Sequence, residues 1–268
     1  MKWVGRIVGV LVGLLLLGVL ILAGLVVFDA VFGPQTADFT NVTYPGADGT
    51  ELLGYLAQPP GEGPFPAVLM LHEWWGLNEG ITQLADAMAA EGYVVLVPDA
   101  YRGRLATQVP RALFLRLTTP EDEIHADLDA GLVYLQSLPG VDTARIASLG
   151  FCFGGEQSLQ ISLRQPENLA ATIVLYGSLE TDPAALQPIQ DQPLLGIFGA
   201  EDAQIPVSEV QAFEAALNSL GAPATVTIYE GVGHAFVKED NYNQPGPAGE
   251  AWQQMVQFLA ETIGGGEA

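Results

Sequence analysis

Gly150-Phe151-Cys152-Phe153-Gly154-Gly155 is the stretch that decides the fold. It follows a short apolar run, Ile146 to Leu149, and leads into a segment whose pattern predicts a helix from near Gly154. Glycines two positions either side of a central residue let a chain pass from strand to helix in one sharp turn. The central side chain is then held up in a strained, exposed position. Such a turn is normally built around serine; here its centre is Cys152, the only cysteine in 268 residues. A thiol is the better nucleophile once deprotonated, and the N-terminus of the following helix favours the thiolate. The competing reading, a buried apolar cysteine, explains none of the surrounding glycines. One thiol per chain also excludes a disulfide framework and a structural Cys-type zinc site.

Outward from this turn the chain alternates. Apolar runs at Ala67 to Leu71, Tyr93 to Val97, Ala171 to Tyr176 and Leu194 to Phe198 read, with Ile146 to Leu149, as strands buried on both faces. A last strand is expected at Ala224 to Tyr229. Helical spacing appears at Ile81, Leu84, Met88; at Ile124, Leu128, Leu132, Leu135; at Val210, Phe213, Leu217, Leu220; and at Trp252, Met255, Val256, Leu259. Ahead of these, Phe39 to Tyr44 and Glu51 to Gln58 have hairpin composition around Gly46, Asp48 and Gly49. The fold class is therefore α/β, a mostly parallel sheet covered on both sides by helices.

Ligands of such sheets sit beyond the carboxyl ends of the strands. The residues found there are His72 and Glu73, Asp99 to Arg104 (with Tyr101), Cys152, Tyr176, Asp202 and His234. A nucleophilic Cys152 needs a base, and the chain has three histidines. His125 lies among Glu121, Asp122, Glu123 and Asp127 and reads as a solvated helix face. His72 either serves the site or packs to shape its turn. His234, in the loop between the last strand and the last helix, has the position of a base. Asp202, just after the strand ending at Phe198, completes the chain order Cys, Asp, His; Glu201 is its nearest competitor.

Together with the cysteine elbow, Leu71-His-Glu-Trp-Trp-Gly-Leu-Asn78, Pro98-Asp-Ala-Tyr101, Tyr176-Gly177 and Gly233-His-Ala-Phe236 resemble the dienelactone hydrolase (carboxymethylenebutenolidase) family of the α/β-hydrolase superfamily, from about Phe39 to about Ile263. The resemblance implies an α/β-hydrolase fold with Cys152 as nucleophile, His234 as base, Asp202 as orienting acid and Glu73 as a carboxylate that controls thiolate formation. It implies an oxyanion hole from the backbone N–H groups of Trp74 and Phe153. Tyr101, Arg102, Arg104, Tyr176 and Lys238 become candidate substrate-binding residues, the basic ones for a carboxylate. Lys238 stands where some members carry arginine, and it lacks the planar bidentate fork. The expected reaction is hydrolysis of a small ester or lactone, anionic substrates included, through a thioester acyl-enzyme. No metal or organic cofactor is implied. A small-molecule binding module on a retired hydrolase fold is the first alternative, an acyltransferase or peptidase on the same scaffold the second.

The N-terminus carries a separate signal. Ile7 to Phe28 is a run of 22 residues without a charge, long enough at 1.5 Å per residue to span roughly 33 Å of hydrocarbon. Lys2 and Arg6 precede it and Asp29 follows, so the expected arrangement is an anchor over residues 1–30, N-terminus cytoplasmic, then a tether over 31–38 and an extracytoplasmic domain over 39–268. The other reading is a cleaved signal peptide, which would release a secreted domain. The run exceeds the 7 to 15 residues typical of a signal peptide's apolar core, and cleavage after Ala30 would put Phe28 where a small residue is needed. Lys+Arg number 9 and Asp+Glu 31, a net charge of −22, which excludes a nucleic-acid partner. With Lys2 and Arg6 on the far side, seven basic residues face all 31 acids. The catalytic domain is expected to be monomeric.

Overall fold

The computed structural model describes residues 2–264; the last four residues of the expected domain lie outside them. Helix α1 covers Lys2–Phe32. Its stretch Arg6–Phe32, of hydropathy 3.1, is long and apolar enough to cross a membrane, a length and composition that signal sequences share. The expected tether is more structured than its composition suggested. Helix α1 runs past Ala30 to Phe32, and a 3-10 turn forms at Thr36–Phe39.

Strands β1 (Val42–Pro45) and β2 (Glu51–Ala57) make the expected antiparallel hairpin. Then come β3 (Phe65–Leu71), α2 (Glu79–Ala90), β4 (Val94–Pro98), α3 (Val109–Thr118), α4 (Glu121–Ser137), β5 (Val141–Phe151) and α5 (Phe153–Arg164). The chain ends through β6 (Ala171–Leu175), α6 (Pro183–Leu186), β7 (Leu194–Gly199), α7 (Val207–Leu220), β8 (Ala224–Tyr229) and α8 (Pro247–Thr262). The eight strands form one sheet in the order β1-β2-β4-β3-β5-β6-β7-β8. Strand β2 runs antiparallel to β4, and every pair from β4 to β8 is parallel.

Alternation along β3 explains why its sequence is apolar without a break. Val68 and Met70 enter a cluster with Leu84, Met88 and Met255 of α2 and α8. Ala67, Leu69 and Leu71 enter a second cluster with Leu115, Leu128, Leu132 and Ile161 of α3, α4 and α5. Successive side chains of a strand point to opposite faces, so a strand with helices on both sides must be apolar throughout. A third cluster seats α7 through Phe213 and Leu217 against Val174 and Phe198.

Below the Cys152 turn the packing becomes polar. Ser158 Oγ donates to the Ile173 carbonyl oxygen (3.0 Å) and lies 2.9 Å from Ser148 Oγ. Ser162 Oγ is 2.6 Å from Thr172 Oγ1, which donates to Gln192 Oε1 (3.0 Å). These buried hydroxyls tie α5 to β5 and β6, and so fix the helix that begins immediately after Cys152.

Candidate active site

Cys152 sits between β5 and α5 with φ 54° and ψ −116°, outside the regions ordinary residues prefer. The strain is held by close packing. A Cβ on Gly150 would strike the Gly154 carbonyl, and one on Gly154 would strike that of Leu71. The two glycines are therefore spacing elements, which is why the turn needs them on both sides of the cysteine.

Three strand ends bring the thiol, an imidazole and a carboxylate into line. Cys152 Sγ lies 2.9 Å from His234 Nε2, and His234 Nδ1 lies 2.7 Å from Asp202 Oδ2. The other Asp202 oxygen accepts from the N–H groups of Gln204 (2.7 Å) and Ile205 (3.0 Å), which fixes the carboxylate. A carboxylate can only accept, so Nδ1 carries the proton and Nε2 accepts the S–H. Burial, and after it the charge of Glu73, push the Cys152 pKa up to about 12, against the smaller opposing effect of the Phe153 and Trp74 backbone N–H groups. At neutral pH the sulfur is accordingly a thiol. The same two N–H groups are close enough to the sulfur to favour its anion.

Glu73 makes no side-chain hydrogen bond to the thiol, which is instead directed at His234. It acts on the sulfur through charge. Burial raises its own pKa to about 7, with Lys238 opposing and Glu239 adding to the shift. Glu73, Lys238 and Glu239 line a cavity of ≈ 400 Å³ whose lining does not include Cys152.

The Cys152 cavity, ≈ 270 Å³, is lined by Trp74, Arg116, Phe153, Glu156, Tyr176 and His234 among others. Tyr176 is fully buried, donates through its hydroxyl to the Val237 carbonyl oxygen (3.1 Å) and packs edge-on against His234, ring centres 5.3 Å apart. Tyr101 is buried behind the cavity, stacked on Phe153 at 5.5 Å. Arg102 and Arg104 are not among the residues of this cavity. Arg102 is bound by Asp127 (2.6 Å), Glu123 (3.2 Å) and Asp48 (3.3 Å), and Arg104 donates to the Tyr101 carbonyl (2.7 Å) and Thr119 Oγ1 (3.1 Å). Both are spent on the acidic start of α4 and the loop before α3, a correction to their expected place at the pocket.

The basic residue that does reach the pocket is Arg116 of α3, which the sequence reading missed. It pairs with Glu156 (3.3 Å) and lies over the Phe153 ring at 5.2 Å. Pro110 at the start of α3 and the absence of acids from Val109–Thr118 were the available signals. His72 takes the packing role. Its Nδ1–H donates to the Glu73 carbonyl (2.7 Å) and its Nε2 accepts from the Ala100 N–H (3.1 Å). His125 is 3.9 Å from Glu121, one turn away on α4. Among the described residues no group of His, Cys, Asp and Glu is arranged to hold a metal ion.

Comparison with known proteins gives the family. The sequence profile described as "Dienelactone hydrolase family" matches residues 52–263. The chain is 30% identical over 239 residues to a Synechocystis sp. protein named "Putative carboxymethylenebutenolidase", covering 82% of this chain and 95% of that one. It is 29% identical over 238 residues to a Methylorubrum extorquens protein of the same name, covering 82% and 80%. Among solved structures, a "Putative Dienelactone Hydrolase" from Klebsiella pneumoniae superposes with a TM-score of 0.70 at 28% identity, covering 82% of this chain and all of that one. With the profile spanning most of its length and the fold shared over 82% of the chain, this chain belongs to the dienelactone hydrolase family.

Proposed function

We propose that the protein hydrolyses a carboxylic ester or lactone through Cys152, His234 and Asp202, by way of a thioester acyl-enzyme. The observation that carries this reading is the hydrogen-bonded line from Sγ to Nε2 (2.9 Å) and from Nδ1 to the Asp202 carboxylate (2.7 Å) at the mouth of a cavity. As Sγ attacks the carbonyl carbon, its proton passes to His234 Nε2, and the resulting imidazolium is stabilised by Asp202. The oxyanion of the tetrahedral intermediate is held by the N–H groups of Trp74 and Phe153. Collapse breaks the C–O bond, and the departing alkoxide takes the proton from His234. Water then gives a proton to His234 and attacks the thioester carbonyl, and Cys152 leaves and recovers its proton.

The charge arrangement favours an uncharged substrate. Arg102 is paired with Asp127 and Glu123, Arg104 lies 3.8 Å from Glu123, Lys238 lines the other cavity with Glu73, Glu79 and Glu239, and Arg116 enters the pocket already paired with Glu156. A net-neutral ion pair offers less to a carboxylate than a free guanidinium does. In this reading α1 anchors the chain in a membrane, N-terminus cytoplasmic, with the catalytic domain on the other side.

Mass spectrometry of the full chain in detergent, mixed with an activated aryl ester and quenched early, tests the chemistry. The expected result is an acyl adduct on Cys152, lost together with turnover in Cys152→Ala. Undiminished turnover in that variant would overturn the proposal.

A further inference from the structure

Helix α1 is fastened to the catalytic domain. The Asp29 carboxylate, buried in its last turn, accepts hydrogen bonds from the Thr107 N–H (2.9 Å), the Gln108 N–H (3.3 Å) and the Thr107 hydroxyl, with Arg111 Nε at 3.9 Å. A carboxylate at that place satisfies free N–H groups at the start of α3 and complements its dipole. Val26, Asp29, Ala30 and Gly33 turn inward, whereas Val27, Phe28, Val31 and Phe32 stay exposed. The apolar surface of α1 thus continues up to the point where α3 begins.

Helix α3 carries that surface on. Val109, Leu113, Phe114 and Leu117 are exposed, Leu117 to 74%, and at about 100° per residue they occupy one arc of roughly 140°. Arg111, Ala112 and Leu115 point inward. In a domain dominated by acids, α3 holds two arginines and no carboxylate. An acid-free helix with an apolar outer face suits a lipid surface, where acids next to phosphate headgroups would be repelled.

We propose that α3 lies in the surface of the bilayer that α1 crosses, held there by the Asp29 clamp, and that the Cys152 pocket beside it draws neutral esters dissolved in that bilayer. The occupant of the α3 face is lipid because the face is continuous with the membrane helix and starts at its end. Substrate delivery follows from Arg116, which sits on the same helix and lines the Cys152 cavity. The proposal rests on the anchor reading above and adds to it a defined orientation of the domain.

The test uses the full chain in phosphatidylcholine vesicles. In a Cys152→Ala background, a polarity-sensitive fluorophore is placed on Leu117→Cys, or on Asn218→Cys of α7 as an exposed control, and spin-labelled lipid is added. The expected result is strong quenching at position 117 and none at 218. Equal quenching at both sites in protein that floats with the vesicles overturns the docking while leaving the anchor intact. Protein that fails to float overturns the anchor, and the docking with it. A dimer in detergent that Leu117→Glu dissociates would assign the face to a second copy and overturn the lipid assignment. With Cys152 intact, Leu113→Glu/Leu117→Glu is expected to lower turnover of a long-chain ester dissolved in the vesicles roughly 10-fold, with a water-soluble acetate ester unaffected. Equal effects on the two esters, or none on either, would overturn bilayer delivery.

Discussion

Two histidines stand at strand ends of the same sheet, and they are put to opposite uses. His72, after β3, has both ring nitrogens engaged by backbone, the Glu73 carbonyl and the Ala100 N–H. It is 2% exposed, and burial lowers its pKa to about 4. His234, after β8, has one nitrogen on a carboxylate and the other on the thiol. Residue type and position along the sheet are alike; the difference is whether a nitrogen is left over for chemistry. His72 fastens the turn bearing Glu73 and Trp74 to the end of β4, whereas His234 can take and return a proton.

Replacing each histidine would break the comparison most directly. His234→Ala is expected to lower kcat on the order of 10³-fold, since general-base catalysis by a positioned side chain typically contributes 10²–10⁴. His72→Ala leaves the buried Ala100 N–H without an acceptor, which costs about 1–3 kcal/mol of stability, and should change kcat far less. Thermal melts alongside steady-state kinetics separate the two effects. Equal losses of kcat in variants that remain folded would place His72 in the reaction.

Asp202→Asn examines what orients the useful histidine. The amide can present its NH₂ to Nδ1, which would move the ring proton to Nε2 and remove the acceptor for the thiol. A fall in kcat on the order of 10² is expected, with an intact fold. Rates within a factor of two of the parent would mean that the buried carboxylate is dispensable for holding His234.

Much of this was legible in the sequence because it is local. The glycine frame of Cys152, the unbroken apolar runs and the order Cys152, Asp202, His234 need no knowledge of distant contacts. The parts that were missed depend on partners far along the chain. Arg102 looks free beside Tyr101 until α4 brings Asp127 and Glu123 against it. Asp29 looks like the polar end of an apolar run, yet its hydrogen-bond donor Thr107 is 78 residues away. Helix α3 escaped notice because its apolar residues lie on its outward as well as its inward face, which blurs the helical period.

Glu73, in the turn that His72 fastens, sharpens the contrast by acting through charge alone. Its folded pKa, about 7, is above the ordinary 4.5, so the folded state holds this proton to higher pH than the unfolded chain. The carboxylate therefore reduces stability increasingly as pH rises from about 4.5 through 7. Glu73→Gln, which has no proton to lose, should match the parent below pH 4.5 and exceed it by about 3 kcal/mol above pH 7 in denaturant titrations. Removing the charge also favours the thiolate, so alkylation of Cys152 by iodoacetamide at pH 8 should be faster in the variant. A stability difference independent of pH would show that Glu73 is not the titrating group.

Ser158 gives the smallest effect and the cleanest extension of the rule drawn from the histidines. Its hydroxyl is fully engaged between Ser148 and the Ile173 carbonyl, on the buried face of the helix that follows Cys152. A group whose hydrogen bonds are all consumed by the scaffold should matter to stability and leave chemistry alone. Ser158→Ala loses the bond to the Ile173 carbonyl and the contact with Ser148, which keeps Ser162 as a partner at 3.0 Å, and removing one oxygen opens little space. A loss of about 1 kcal/mol is expected in denaturant titrations, with kcat unchanged. If kcat falls while the melting temperature holds, the hydroxyl ladder sets the position of Cys152 as well as the stability of α5, and the division between holding and reacting groups would end short of this helix.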